Sequence, residues 1–321
     1  MITLTATSAN ELFTAVCGQV LEQGHRTSPR GQLTKEILGA HLTLTNPRQR
    51  FVAVPPARLL NPAFAVAEVL WILAGSDEPW IFDFNRNLAQ YADDGRLRGA
   101  YGPRIRLWRG EIDQLTGVRE LLRHDPDSRQ AVIQLYDPQL DTQGNRDVPC
   151  TLNYRFFVRA GQLHMHTTMR SNDVWLGLPY DLFAATILHE LMAGWLDVDL
   201  GSYHHHVDSL HLYAHDWDGA AEVARTPTAA STAMPPLVAP PDDLTRFLGA
   251  VIAGEAPMDA DPIWHAMGQV LESYRRWNSG DRTSATALAD SLDGDLGVHL
   301  HAWYEHLTAR THVTSTKAAI R

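Results

Sequence analysis

Cysteine is scarce: Cys17 and Cys150 are the only two in 321 residues. Two thiols cannot build a disulfide framework, and their separation excludes a CxxC metal or redox motif. Each is expected as a free thiol. Long apolar runs are missing as well, since none approaches the roughly 18 residues of a membrane span. The opening MITLTATSANELF has neither the basic nor the apolar region of a secretory signal, so the expected compartment is the cytoplasm. Positive charge falls short of negative, 27 Lys and Arg against 37 Asp and Glu, for a formal −10. That balance argues against a general nucleic-acid or anionic-membrane surface, and an anionic ligand must meet a local arginine cluster. What is present, 45% hydrophobic and 20% charged residues, is globular composition long enough for a large core. Disorder, collagen and coiled coil are excluded, and no fixed-period repeat is found.

Apolar Leu12, Phe13, Val16, Val20 and Leu21 recur at helical spacing, and Ser8 with Glu11 reads as a capping box. A helix is predicted over 8 to 22, with Cys17 beside its apolar stripe. Residues 24 to 31, with Arg26, Pro29 and Arg30, have loop chemistry, and alternation through Ile37, Gly39, His41 and Thr43 predicts a strand. The run AFAVAEVLWIL (63 to 73) is apolar nearly all round, the mark of a buried helix, yet it carries Glu68. SRQAVIQLY (128 to 136) predicts a strand, and NYRFFVR (153 to 159) with QLHMHTTM (162 to 169) a hairpin across Ala160-Gly161. A helix then runs from Leu182 to near Leu196. After the Pro-rich stretch 233 to 241, helices are expected around 242 to 254, 261 to 277 and 297 to 309, with a frayed tail. Strands and helices without regular βα alternation favour an α+β fold with a mixed or mostly antiparallel sheet and packed helices.

The sharpest chemical feature is Pro149-Cys150 at the entrance to a strand, followed by Arg170-Ser171, Asp173 and Leu176-Gly177-Leu178-Pro179. A cysteine nucleophile needs thiolate character, which a nearby guanidinium favours. By spacing alone two readings stand, a nucleophile and a buried structural thiol.

The stretch VPCTLNYRFFVRAGQLHMHTTMRSNDVWLGLPYDLFAATILHELMAG, followed by DSLHLYAHD, resembles the thymidylate synthase superfamily. That family holds there a Pro-Cys nucleophile, an Arg-Ser-x-Asp-x-x-Leu-Gly-x-Pro segment and a His-x-Tyr pair. AEVLWILAG (67 to 75) resembles the family helix with a catalytic Glu, and YADDGRLRGAYGPRIR (91 to 106) its Gly-x-x-Tyr-Gly segment. The likeness covers roughly residues 9 to 220 and implies a homodimer of that fold. On this basis residues 1–235 form the catalytic domain and 236–321 a helical region packed on it.

The resemblance makes Cys150 the nucleophile that adds to C6 of a pyrimidine, turning C5 into a carbon nucleophile. Glu68 moves protons through water, a task suited to a carboxylate with a raised pKa. Tyr101 helps remove the C5 proton, and Asp173 organises the site. Arg26, Arg170 and Ser171 bind phosphate together with Arg129 from a partner subunit, guanidinium forks and a hydroxyl suiting a dianion. His211 and Tyr213 meet the sugar 3′-hydroxyl. Many relatives carry two adjacent arginines where this chain has Arg129-Gln130.

Asp181 stands where thymidylate synthases usually have Asn, whose amide accepts from uracil N3–H and donates to O4. A carboxylate cannot donate to O4 but accepts from the N4 amino group of cytosine, which points to the deoxycytidylate and cytidylate hydroxymethylases. The alternative for Asp181 is an N-cap of the helix starting at Leu182. A second departure is Thr151, where the synthases commonly have His. The chain also lacks their apolar C-terminal tail, and residues 81 to 100 contain no Trp. Water is therefore expected to add to the one-carbon unit in place of hydride. The expected reaction is C5 hydroxymethylation of dCMP, or CMP, with 5,10-methylenetetrahydrofolate as co-substrate. The runner-up is reductive methylation of dUMP.

Against these stands a metal-dependent hydrolase using His204, His205, His206, Asp208, His211 and His215. Three consecutive histidines cannot all face one ion from regular structure, and HELMA (189 to 193) is not HExxH, so no metal is expected. A binding or regulatory homologue is a third reading, in which Glu68, Tyr101, Cys150, Arg170 and Asp181 together would be idle.

Overall fold

The computed structural model describes the backbone of residues 1–227 and 232–319 and the side chains through 309. Strand β1 (Ile2–Ala6) leads into helix α1 (Ala9–Gln23), whose start is fixed by the capping box. Ser8 Oγ accepts from the Glu11 N–H at 3.2 Å while the Glu11 carboxylate accepts from the Ser8 N–H at 3.3 Å. The next elements are β2 (His25–Thr27), β3 (Thr34–Leu44), α2 (Pro62–Leu73), α3 (Tyr101–Arg106), α4 (Gln114–His124), β4 (Val132–Gln134) and α5 (Pro138–Asp141). They are followed by β5 (Thr151–Arg159), β6 (Gln162–Met169), β7 (Asn172–Asp173), α6 (Gly177–Trp195), β8 (Asp199–Tyr213) and α7 (Trp217–Arg225). The chain closes with α8 (Leu244–Ala253), α9 (Pro262–Ser279), α10 (Arg282–Asp290) and α11 (Asp295–Ala319).

The strands form one mixed sheet in the order β1-β3-β8-β6-β5-β4, with β2 on β3 and β7 on β8. β1 with β3, β6 with β8 and β7 with β8 are parallel, and the other pairs antiparallel. The β5–β6 hairpin turns through Ala160 and Gly161 at φ 51° and 75°, a pair of left-handed residues whose twist matches that of the strands. Along β6 and β8, buried residues such as Met165, Tyr203 and His205 alternate with half-buried ones, and α1 and α6 cover the buried face.

Helix α2 explains the C-terminal helices. Because it is apolar on every side, one neighbouring layer cannot bury it. It packs on α6 on the sheet side, while α8, α9 and α11 also lie against it. The fully buried Trp264 of α9 and the Trp277–Tyr304 stack at 4.1 Å hold that outer layer together.

Several elements differ from those read in the sequence. The strand expected over 128 to 136 is only β4, since Leu135 and Tyr136 both donate to the Leu152 carbonyl and break the ladder. The Gln114 side chain covers the outer edge of β4, accepting from Gln134 N–H and donating to its carbonyl. Helix α6 begins at Gly177 and not at Leu182, because Pro179 falls in its first turn, where the missing N–H costs no bond. The last helix is longer than 297 to 309, and the tail expected to fray stays helical to Ala319; Ile320 and Arg321 lie outside the described residues. Strand β2 lies in the stretch read as a loop, and β1, β7 and β8 and helices α3, α4, α5, α7 and α10 were not anticipated.

Candidate active site

The β5–β6 ladder brings the two halves of the cysteine motif together. Cys150 immediately precedes β5 and Arg170 follows β6, and the Arg170 N–H donates to the Cys150 carbonyl at 2.9 Å. The guanidinium is then locked over the loop by donating to the Pro149 and Val148 carbonyls, both at 2.9 Å, and its Nη2 lies 3.8 Å from Cys150 Sγ. Burial raises the thiol pKa, and the Arg170 charge is the first influence opposing it. Cys17, by contrast, is fully buried in the core of α1 and its pKa is pushed far up by desolvation. Only Cys150 has both access and a cation.

Three helices supply the remaining chemistry. Glu68 is the one half-buried residue of α2, the rest of the helix being buried. Desolvation, with the Asp181 charge second, raises its pKa to about 8. Tyr101, at the head of α3, accepts from the Thr151 N–H at 3.2 Å, one residue from Cys150. Arg104 anchors this short helix through a buried bidentate pair with Asp141 at 2.6 and 2.7 Å.

Asp181 lies on the second turn of α6 and therefore caps nothing. Its Oδ2 accepts from Asn172 Nδ2 at 2.7 Å, and burial raises its pKa to about 7 despite that bond. The Asp181 charge also acts on Cys150, Tyr101 and Tyr154, so these groups lie near one another. Asp173 is a turn cap: its Oδ1 accepts from the Trp175 and Leu176 N–H groups at 2.8 and 3.2 Å, shaping the loop that starts α6.

Sheet register assembles the polar rim. Asp173 pairs with His211 in β7–β8, and Arg26 pairs with Lys35, which pairs in turn with Leu212 beside His211 and Tyr213. The exposed Arg26 sits 5.6 Å over the Trp217 ring. Ser171 is half-buried next to Arg170. Arg26, Arg129 and Arg170 form no ion pair among the described residues, although Arg170 gives Nε and Nη2 to the Pro149 and Val148 carbonyls. Arg129 is exposed in the loop before β4.

Sequence reasoning missed three groups. Arg30, left-handed at φ 53°, acts with its charge on both Cys150 and Tyr213, opposing the effect of burial at each. Its signal was only its place in the Arg26 loop. Tyr154 is buried with its hydroxyl pKa raised. Asn172 is 3% exposed and holds Asp181.

The histidines divide by strand alternation. His204 and His206 point to the open face of the sheet, where they stack with His166 and His41 at 4.3 Å, while His205 is buried on the other face. Among the described residues no three His, Cys, Asp or Glu side chains could hold a metal ion. Likewise no described helix is long and apolar enough to cross a membrane.

A thiol beside a guanidinium, two recessed carboxyls and a tyrosine over a mixed sheet define the class of site a nucleophilic cysteine requires. Residues 11–240 match the thymidylate synthase family model, and the protein belongs to that family. It is similar to a deoxyuridylate hydroxymethyltransferase of Bacillus phage SP01, 38% identical over 231 residues, 68% of this chain and 60% of that protein. Putative thymidylate synthases of Methanosarcina acetivorans and Methanosarcina barkeri are 36% and 34% identical over 125 residues, 39% of this chain and 57% of each relative. The chain thus spans about three fifths of the length of these curated relatives.

Proposed function

We propose that the protein hydroxymethylates C5 of a cytidine monophosphate, dCMP in preference to CMP, with 5,10-methylenetetrahydrofolate and water as co-substrates. The observation that carries the reading is Asp181, a carboxyl near Cys150 with one oxygen committed to accepting a hydrogen bond. An ionised carboxylate accepts from cytosine N4–H and offers nothing to uracil O4. Ser171 and Arg129 are the residues that favour a deoxynucleotide in this reading.

Cys150 Sγ adds to C6 of the base, and the electron pair moves to C5. Arg170 steadies the thiolate that burial disfavours. Glu68, protonated over much of the neutral range, exchanges protons with the base through water. Tyr101, whose hydroxyl is held by the Thr151 N–H, lies where it can help the C5 proton leave. The folate supplies one carbon at the oxidation level of formaldehyde. Loss of the C5 proton and of tetrahydrofolate leaves an exocyclic methylene on C5. Water adds to that carbon, and the electron pair passes to C5 and expels Cys150 from C6. The balance is nucleotide plus methylenetetrahydrofolate plus water giving hydroxymethyl nucleotide plus tetrahydrofolate.

Arg129 completes the phosphate site of a partner subunit in a homodimer, which accounts for its exposed position. The test is tritium release from [5-³H]dCMP, [5-³H]CMP and [5-³H]dUMP, each with methylenetetrahydrofolate, followed by product mass. Release from dCMP with a hydroxymethyl product supports the proposal. The name of the phage relative favours uracil as the second reading. Release confined to dUMP overturns the choice of base, and a methyl product with dihydrofolate overturns the water step.

A further inference from the structure

Behind Asp181 a line of polar side chains runs into the buried face of the sheet. Asn172 Nδ2 donates to Asp181 Oδ2 at 2.7 Å, and Asn172 Oδ1 lies 2.9 Å from His205 Nε2. His205 Nδ1 is 2.8 Å from the Tyr203 hydroxyl, and Thr167 Oγ1 lies 2.8 Å beyond that. Asn172 and Thr167 are 3% and 2% exposed, while His205 and Tyr203 are fully buried. Such a line is costly unless every member is satisfied. It also occupies core positions that an apolar side chain would fill more simply.

The bonding fixes a direction. An amide that gives its N–H to Asp181 must turn its oxygen toward His205, so the His205 proton sits on Nε2. Desolvation, with the charge of His206 second, lowers the His205 pKa to about 3, so the ring is neutral and has no second proton. Its Nδ1 is then an acceptor that faces the Tyr203 hydroxyl, whose other partner is Thr167 Oγ1. Space is reserved for the arrangement: a Cβ on Gly177, one turn before Asp181, would lie 2.9 Å from Asn172 Nδ2 and 3.3 Å from Asp181 Oδ2.

We propose that Asn172, oriented by His205 and Tyr203, is a specificity-determining residue that sets which base the site selects by holding Asp181 Oδ2 as a hydrogen-bond acceptor. Any proton on the carboxyl is directed to Oδ1. Presented to the 4-position of a pyrimidine, Oδ2 accepts an amino N–H with its remaining lone pair, and Oδ1–H can donate to N3. A keto group at that position meets only another acceptor. Asn172 is a positioning residue here, acting on the base through Asp181. The inference rests on the cytidine nucleotide reading for its direction.

The experiment measures kcat/KM for dCMP and dUMP by tritium release in the full chain and in Asn172→Ala, Asn172→Ser, His205→Leu and His205→Gln. The dCMP to dUMP ratio is expected to move toward parity by about tenfold or more in Asn172→Ala and His205→Leu, the scale of one buried hydrogen bond. His205→Gln, which keeps a donor toward Asn172, should hold the ratio near that of the wild type. Equal losses on both bases, with the ratio unchanged, would mean a merely structural role and overturn the inference. If one substitution prevents folding, its partner at the same or the adjoining position reads the same ratio. A wild-type preference for dUMP refutes the proposed substrate alone, whereas an unmoved ratio in the variants refutes the role of Asn172.

Discussion

Glu68→Gln separates what the recessed carboxyl costs the fold from what it does for the chemistry. The carboxyl titrates near 8 in the folded protein against 4.5 in an open chain, because burial penalises its ionised form. A raised folded pKa means that stability is fully present below 4.5 and is lost as pH rises toward 8. Between pH 5 and pH 9 the loss integrates to about 4 kcal/mol at 1.36 kcal/mol per unit. Gln cannot ionise, so the variant escapes that loss. In urea unfolding, Glu68→Gln should therefore gain about 4 kcal/mol on the wild type between pH 5 and pH 9. Asp181 titrates in both proteins and largely cancels. Over the same range tritium release from the nucleotide should fall by about a hundredfold or more, the usual loss for a general acid–base group. A stability difference that is constant from pH 5 to pH 9 would refute the buried-carboxyl argument. Unchanged tritium release would refute its part in proton transfer.

Cys150→Ala should abolish C5 tritium release while dCMP binding, followed by calorimetry, survives; release persisting in that variant would eliminate covalent catalysis. Arg170→Ala removes the charge opposing burial at Cys150 and is expected to slow iodoacetamide alkylation of that thiol at pH 7.5 by several-fold. Asp181→Ala should lower kcat/KM for dCMP by about a hundredfold through two lost buried contacts, with Cys150 alkylation little changed. Mixing Cys150→Ala with Arg129→Ala and allowing exchange should restore about a quarter of wild-type activity, one intact site in half of the dimers. No recovery after confirmed exchange would place Arg129 outside the partner's site.

The site illustrates how far one-dimensional pattern reaches. Residues that act from fixed places in local motifs were legible: Cys150 before its strand, Arg170 after the next, and Glu68 as the lone acid in an apolar helix. The Ser8–Glu11 cap and the Ala160-Gly161 hairpin were legible for the same reason, since their hydrogen bonds close within a few residues. Asp173 was expected to organise the site, with a helix or turn cap as the alternative, and the loop shows it capping the turn before α6. The N-terminal bound of α6 was misread because Asp181 is itself a good capping residue, and only the helix start at Gly177 removes that role.

The sequence by itself therefore determined the candidate nucleophile, the order of the candidate groups and the kind of element bearing most of them. Their short-range periodicities and caps act within a turn or a hairpin. Tertiary structure alone decided which groups meet. His205 reaches Asn172 across 33 residues because β7 pairs with β8 in one register, and a strand's period of two sends His205 inward while His204 and His206 face outward. It also decided the protonation of the carboxyls. Desolvation of Glu68 and Asp181 is a property of the layers packed around α2 and α6, and no neighbouring residue in the chain encodes it.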